Sequence, residues 1–257
     1  MRMGYWSRKF SAAMGVVCLA GCIASPPLPE FDSSRIEKVG VYVSSIGNPT
    51  HTHIGTTLFN NFAKPYEQNW RLEDDFRAVI GSALESEGMR PVNLNMIGFA
   101  QDDLLNAITV ENMRWKVAKP NVLAKLEQAD ISAVIVVTPM EYLMVISNCS
   151  MHGCTEHFSE GYGLFSRGLF GSQNYITAFA FDITALLVQP PAEITQSPPL
   201  EDLGQHKNKA RPWTHLQPAD VNNIDAASWK RLHADLVEQM SEFAESITFV
   251  LAGNRRT

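Results

Sequence analysis

The feature that most constrains this chain is one amphipathic stripe near its C-terminus. Trp229, Leu232, Leu236, Met240, Phe243, Ile247 and Val250 recur every three or four residues. That period matches the turn of an α-helix and predicts one over 226–251. Asp225 supplies an N-cap; Gly253 ends the helix, with Arg255 and Arg256 beyond. At 1.5 Å per residue the helix runs to about 39 Å. A stripe that long needs an extended apolar layer beneath it.

The rest of the chain supplies strands for that layer. Glu37 to Ser45 alternates, with Val39, Val41 and Val43 on one side. A loop over 46–69 follows. Trp70 to Glu87 reads as a helix, with Glu73, Asp74 and Asp75 in its first turn, where the dipole favours acids. Leu72, Phe76, Val79, Ile80 and Leu84 form its apolar stripe, and Gly88 closes it. Pro91 to Ile97 is a second strand, giving a β-α-β unit. Asp102–Ile108 and Asn121–Gln128 are short helical pieces, the second opened by Pro120.

Ile131 to Val137 is nearly continuous apolar, as expected of a central strand covered on both faces. Pro139 ends or bends it, and Met140–Ile146 extends it. Tyr175 to Val188 alternates as its partner. A long connection over 147–174 and a Pro-rich return over 189–224 complete the layout, with a short strand at Ala192–Gln196. The expectation is one α/β domain over 35–257. It has a small mixed β-sheet packed between helices, a three-layer sandwich, and a long C-terminal helix. Apolar residues make up 45% of the chain, enough for such a core.

The N-terminus carries an address. Arg2, Arg8 and Lys9 precede an apolar run from Ser11 to Leu19. The run is shorter than the about 20 residues a membrane-spanning helix needs, and fits a signal-peptide core. Leu19-Ala20-Gly21-Cys22 closes it and resembles a bacterial lipobox. The resemblance implies removal of residues 1–21 as a signal peptide and acylation of Cys22 by palmitate-like chains. Ile23, not Asp, follows the cysteine, which in such lipoproteins implies the outer membrane, with the domain on the periplasmic face. Residues 22–34 then form a Pro-stiffened tether, roughly 35–45 Å if extended. Without its first 21 residues the chain keeps 18 basic and 27 acidic residues, a formal charge of −9. Such a surface gives no footprint for nucleic acid.

Cys149 and Cys154 are an even pair in a chain exported to an oxidising compartment, and a disulfide is the expected state. The competing reading places zinc among Cys149, His152, Cys154 and His157. His51 and His53 flank Thr52 in the loop over 46–69; on a strand both imidazoles would share a face and could meet one ion, but nothing nearby supplies a third ligand. The stretch 161–171 repeats Gly-Leu-Phe. Tyr162, Leu164, Phe165, Leu169 and Phe170 make it either a partner-contact loop or a flap over the domain's own core. Gly-x-Ser-x-Gly, phosphate-loop and dinucleotide motifs are missing, so the expectation is no enzyme, no cofactor and no metal.

Behind the lipobox, the element order over 37–251 resembles a group of envelope lipoproteins and related domains. These are the TolB amino-terminal-like domain, the curli secretion lipoprotein and the outer-membrane activators of penicillin-binding proteins. The resemblance implies a non-enzymatic adaptor that binds another envelope protein. Residues 147–174 lack the alternation of the curli channel's membrane hairpins, so no pore function is implied. Two rival functions are a subunit of a self-assembling envelope or secretion complex, hence a homo-oligomer, and a metal-dependent hydrolase using His51, His53, His152 and His157.

Overall fold

The computed structural model describes residues 25–55, 57–140, 142–150, 153–159, 161–169, 172–197 and 210–253. The α/β class and the long C-terminal helix are both present. The first sheet has five strands in the order β13 (Ala192–Glu193), β12 (Phe181–Leu187), β7 (Ala133–Pro139), β1 (Lys38–Val43) and β4 (Arg90–Asn93). Its centre is β1, parallel both to β4 and to β7. Helix α1 (Leu72–Ser86) makes the β1-α1-β4 crossover. Strand β12 runs antiparallel to β7, and the two-residue β13 edges the sheet.

Helical layers cover both faces, because the strands are apolar on both. Val39, Val41, Val43, Ile135 and Val137 face one core with Phe76 and Ile80 of α1 and with the stripe of the C-terminal helix (Ala226–Leu251). Val134, Val136 and Leu186 face a second core with Leu104 of α2 (Gln101–Leu105) and Val122 and Leu126 of α3 (Pro120–Gln128). Each such side chain, once buried, contributes about 1.5–3 kcal/mol. Asp225 caps the C-terminal helix by accepting from the Ser228 amide at 2.7 Å.

The predicted single small sheet is joined by a second five-stranded sheet, in the order β14 (Ala210–Trp213), β11 (Ser172–Ala178), β10 (Gly163–Leu169), β2 (Thr50–Ile54) and β3 (Phe62–Pro65). Strands β2 and β3 lie within the predicted loop over 46–69. The predicted connection over 147–174 is also largely strand. Strands β8 (Tyr142–Ser150) and β9 (Gly153–Ser159) pair as a separate hairpin. Strand β10 pairs antiparallel with β11 and parallel with β2. The predicted strand Tyr175–Val188 is therefore two strands. The chain passes between sheets at Phe179-Ala180, both fully buried, and Met140 N–H donates to Ala180 O at 3.0 Å. Alternation runs unbroken through this crossing because both sides are covered.

Strand β14 lies within the predicted Pro-rich return over 189–224 and sits beside the C-terminal helix. Arg211 pairs there with Glu238 and Glu242, each at 2.6 Å. A third small element is the hairpin of β5 (Ile108–Glu111) and β6 (Arg114–Val117), joined by Asn112 and Met113. The predicted tether is not free over its length. Pro26 is buried, Leu28 and Phe31 pack on the first core, and Trp115 Nε1 donates to Pro27 O at 3.2 Å.

Candidate functional site

Cys22 and Phe170 lie outside the described residues, as does His152. Cys149 on β8 and Cys154 on β9 each lie next to the Ser150–Gly153 pair that closes their hairpin. Tyr162, Leu164 and Phe165 are buried in the first core. Phe165 is fully buried, and the Tyr162 hydroxyl donates to Gly47 O at 2.5 Å. Burial first, then the Glu73 carboxylate, pushes the Tyr162 phenol well above its ordinary range. Of the two readings of this stretch, these three side chains follow the one in which it packs on the domain's own core. They are closed to a partner. Leu169 ends β10.

The two histidines of β2 do converge, but on a hydroxyl. In the parallel pairing of β2 and β10, His53 is in register with Ser166. Ser166 Oγ lies 2.7 Å from His51 Nε2 and 2.7 Å from His53 Nδ1, and all three residues are buried. One hydroxyl proton serves only one ring, so the other ring must donate to Oγ. His51 Nδ1 is buried and has no hydrogen-bond partner among the described residues. The Nε2–H tautomer of His51 suits this best, since it leaves a lone pair there and not an N–H. Phe62 packs edge-on to His51, with ring centroids 5.1 Å apart.

Burial, and secondarily the charge of His53, pushes the His51 imidazole down to about 3. Burial lowers His53 as well. Both rings are thus held neutral. A serine between two imidazoles has the groups of a nucleophile and its base. Yet Ser166 is fully buried, so no reacting atom reaches Oγ in this packing. The side chain of His157 lies outside what is described, and among the described residues no three His, Cys, Asp or Glu side chains are placed to hold a metal. Ser166 went unrecognised because it lies 113 residues from His53; its alternation with Leu164 and Gly168 is the only sequence signal.

Two of the solvent-open clefts among the described residues bear on function. One, about 940 Å³, lies at the N-terminal ends of β1, β4 and β7, with Arg35, Lys38, Arg90, Glu127 and Asp130 on its walls. Its charges are of both signs, and Lys38 is already held by Asp130 at 3.0 Å and by Ala129 O. The other, about 460 Å³, opens where the C-terminal helix begins. Trp70, Ile224 and Trp229 form its apolar walls, and Gln68, Lys230 and His233 its polar rim. Tyr66 supports Trp229 from behind at 4.8 Å. His233 rests against Trp70 at 5.0 Å, and its Nε2 is fixed by Asp75 of α1 at 2.8 Å. Aromatic walls with a polar rim give a surface suited to anchoring a protein or ligand group. The sequence reading assigned Trp70 and Trp229 to helices; their meeting depends on the chain segment 62–70, which carries Tyr66 and Trp70 to the helix start. No protein-family model matches this chain, and no curated protein matches it.

Proposed function

We propose that this chain is an outer-membrane lipoprotein, anchored through acylated Cys22, whose periplasm-facing domain is a non-enzymatic adaptor for another envelope protein. The observation that carries it is the run Leu19-Ala20-Gly21-Cys22 behind a cationic, then apolar, N-terminus. Support also comes from Pro26, Leu28 and Phe31, which pack on the domain and would hold an acylated Cys22 close to it. The partner surface is assigned to the Trp70–Trp229 cleft, in place of the Gly-Leu-Phe stretch. Its walls are apolar, its rim is polar, and it is open.

Two measurements test this reading separately. Labelled palmitate should enter the wild-type chain in growing cells and not the Cys22→Ala chain; equal labelling removes the anchor. A photoreactive side chain at exposed Lys230, irradiated in intact cells, should give a discrete protein adduct that Trp70→Ala weakens. An adduct of twice the chain's mass would mean self-assembly and overturn the adaptor role. No adduct at all removes the cleft as the partner surface.

A further inference from the structure

The β5–β6 hairpin carries an unusual turn. Asn112 and Met113 both have positive φ, at 52° and 59°. Two-residue turns of this kind favour Asn or Asp followed by Gly, since a side chain at the second position is strained. This chain places methionine there and leaves it 54% exposed. Arg114 and Lys116 follow on the same hairpin, both exposed, with Trp115 half-buried between them. Lys116 pairs with Glu111 across the hairpin; Arg114 makes no ion pair among the described residues. An exposed apolar tip beside a cation and a tryptophan matches the lipid interface, where apolar groups enter below the headgroups and cations meet phosphate.

Chain length says what covers this tip. Trp115 Nε1 holds Pro27 O, and Pro26 beside it is buried, so the N-terminal segment is fixed to the domain at this hairpin. Only four peptide steps separate Pro26 from Cys22. At 3.3–3.6 Å each they reach about 14 Å. A lipid on Cys22 therefore cannot sit far from Met113. Resting on the acylated-Cys22 reading, we propose that the β5–β6 hairpin is the membrane-facing edge of the domain, with Met113 and Arg114 against phospholipid headgroups. The bilayer is the occupant, and the C-terminal helix, on the other face of the first sheet, is turned away.

The test uses the full acylated chain in phosphatidylethanolamine–phosphatidylglycerol vesicles. A photoreactive side chain is placed at Met113, at Arg114, or at exposed Glu245 of the C-terminal helix. Phospholipid adducts are expected at 113 and 114 and several-fold fewer at 245. The Arg114 variant keeps the test valid if substitution at 113 disturbs the turn. If the chain floats with the vesicles but 113 and 114 label lipid no better than 245, the orientation is wrong and the anchor stands. If wild type and Cys22→Ala both fail to float, the anchor itself fails and the orientation falls with it.

Discussion

Trp213 on β14 donates its indole N–H to Asp235 on the C-terminal helix at 2.9 Å, and Thr177 on β11 donates its hydroxyl to the same carboxylate oxygen at 2.7 Å. Three elements thus meet on one nearly buried acid. Arg231, one helical turn away, lies 3.8 Å from that oxygen and stacks over the Trp213 ring at 4.9 Å. The long helix serves two sheets in this way: its apolar stripe lies on the first, and this polar contact ties it to the second.

Removing the carboxylate leaves the Thr177 hydroxyl without its acceptor, while the Trp213 indole N–H keeps Thr177 Oγ1 at 2.8 Å. Such a loss costs about 1–3 kcal/mol, so Asp235→Ala should destabilise the domain by about 2 kcal/mol. Asp235→Asn keeps one acceptor oxygen and should cost about half of that. Urea unfolding reads both. A change below about 0.5 kcal/mol for the alanine variant, the range of ordinary surface substitutions, would show that the contact does not hold the second sheet.

The buried His51–Ser166–His53 group sets a pH dependence. In the unfolded chain a histidine titrates near 6.5, whereas burial holds His51 near 3 and lowers His53 too. Below 6.5 the unfolded state takes up protons that the folded state refuses. Stability is therefore full above that value and falls as pH drops toward the folded one. At 1.36 kcal/mol per unit, His51 alone removes about 2 kcal/mol between pH 7 and pH 5. His53 adds in the same direction. Thermal unfolding of wild type and His51→Gln across pH 7 to 5 should give a shallower slope in the variant. Parallel slopes would mean that His51 is solvated or charged in the fold.

What the sequence made legible divides along physical lines. The C-terminal helix, α1, β1 and β7 were readable because each carries its own periodicity and buries a whole face. The second sheet was not. Its β2 strand reads Thr-His-Thr-His-Ile, and its two buried imidazoles find their partner in Ser166, more than a hundred positions on. The β5–β6 hairpin escaped because its strands have four residues each and its turn lacks the glycine that marks such turns. In the site, strand geometry puts His51 and His53 on one face, but their stretch read as a loop, and the group they meet is Ser166 and not a metal ion. The Trp70–Trp229 cleft was not legible, since it joins parts of the chain with no shared pattern.

Gly163 opens β10 with φ of 145°, in a conformation that side chains rarely adopt. A Cβ there would stand 2.2 Å from Thr50 O and 2.7 Å from Thr50 N, both backbone atoms of the paired β2. Neither can swing aside. Gly163→Ala must push β2 away from β10, and with it His51 and His53 from Ser166. The expected cost is about 3 kcal/mol, at the upper end for overpacking. Gly47→Ala, where a Cβ would meet nothing within 4 Å, is the control and should be close to neutral. Equal stability of the two variants would show that the close approach of β2 and β10 is relaxed in solution.

Cys149 and Cys154 lie on paired strands, each adjacent to the Ser150–Gly153 pair, where the register shifts between Ile146 and Ser150. Residues that stand opposite each other in an antiparallel pair have Cα atoms about 4.5–5.5 Å apart, within the about 4.4–6.8 Å that a disulfide spans, so a bridge requires that the two cysteines stand opposite despite the shift. Export to an oxidising compartment would supply the oxidant. The oxidised chain should therefore resist thiol alkylation at both positions, and take up two alkyl groups after reduction and unfolding. The loop closed is short, so the bridge should add only about 2 kcal/mol, less than a bridge across the domain would. Its removal by Cys149→Ser with Cys154→Ser should lower the unfolding midpoint modestly and leave the His51–Ser166–His53 group in place. Alkylation of both cysteines in the folded, air-oxidised chain would show that no bridge forms.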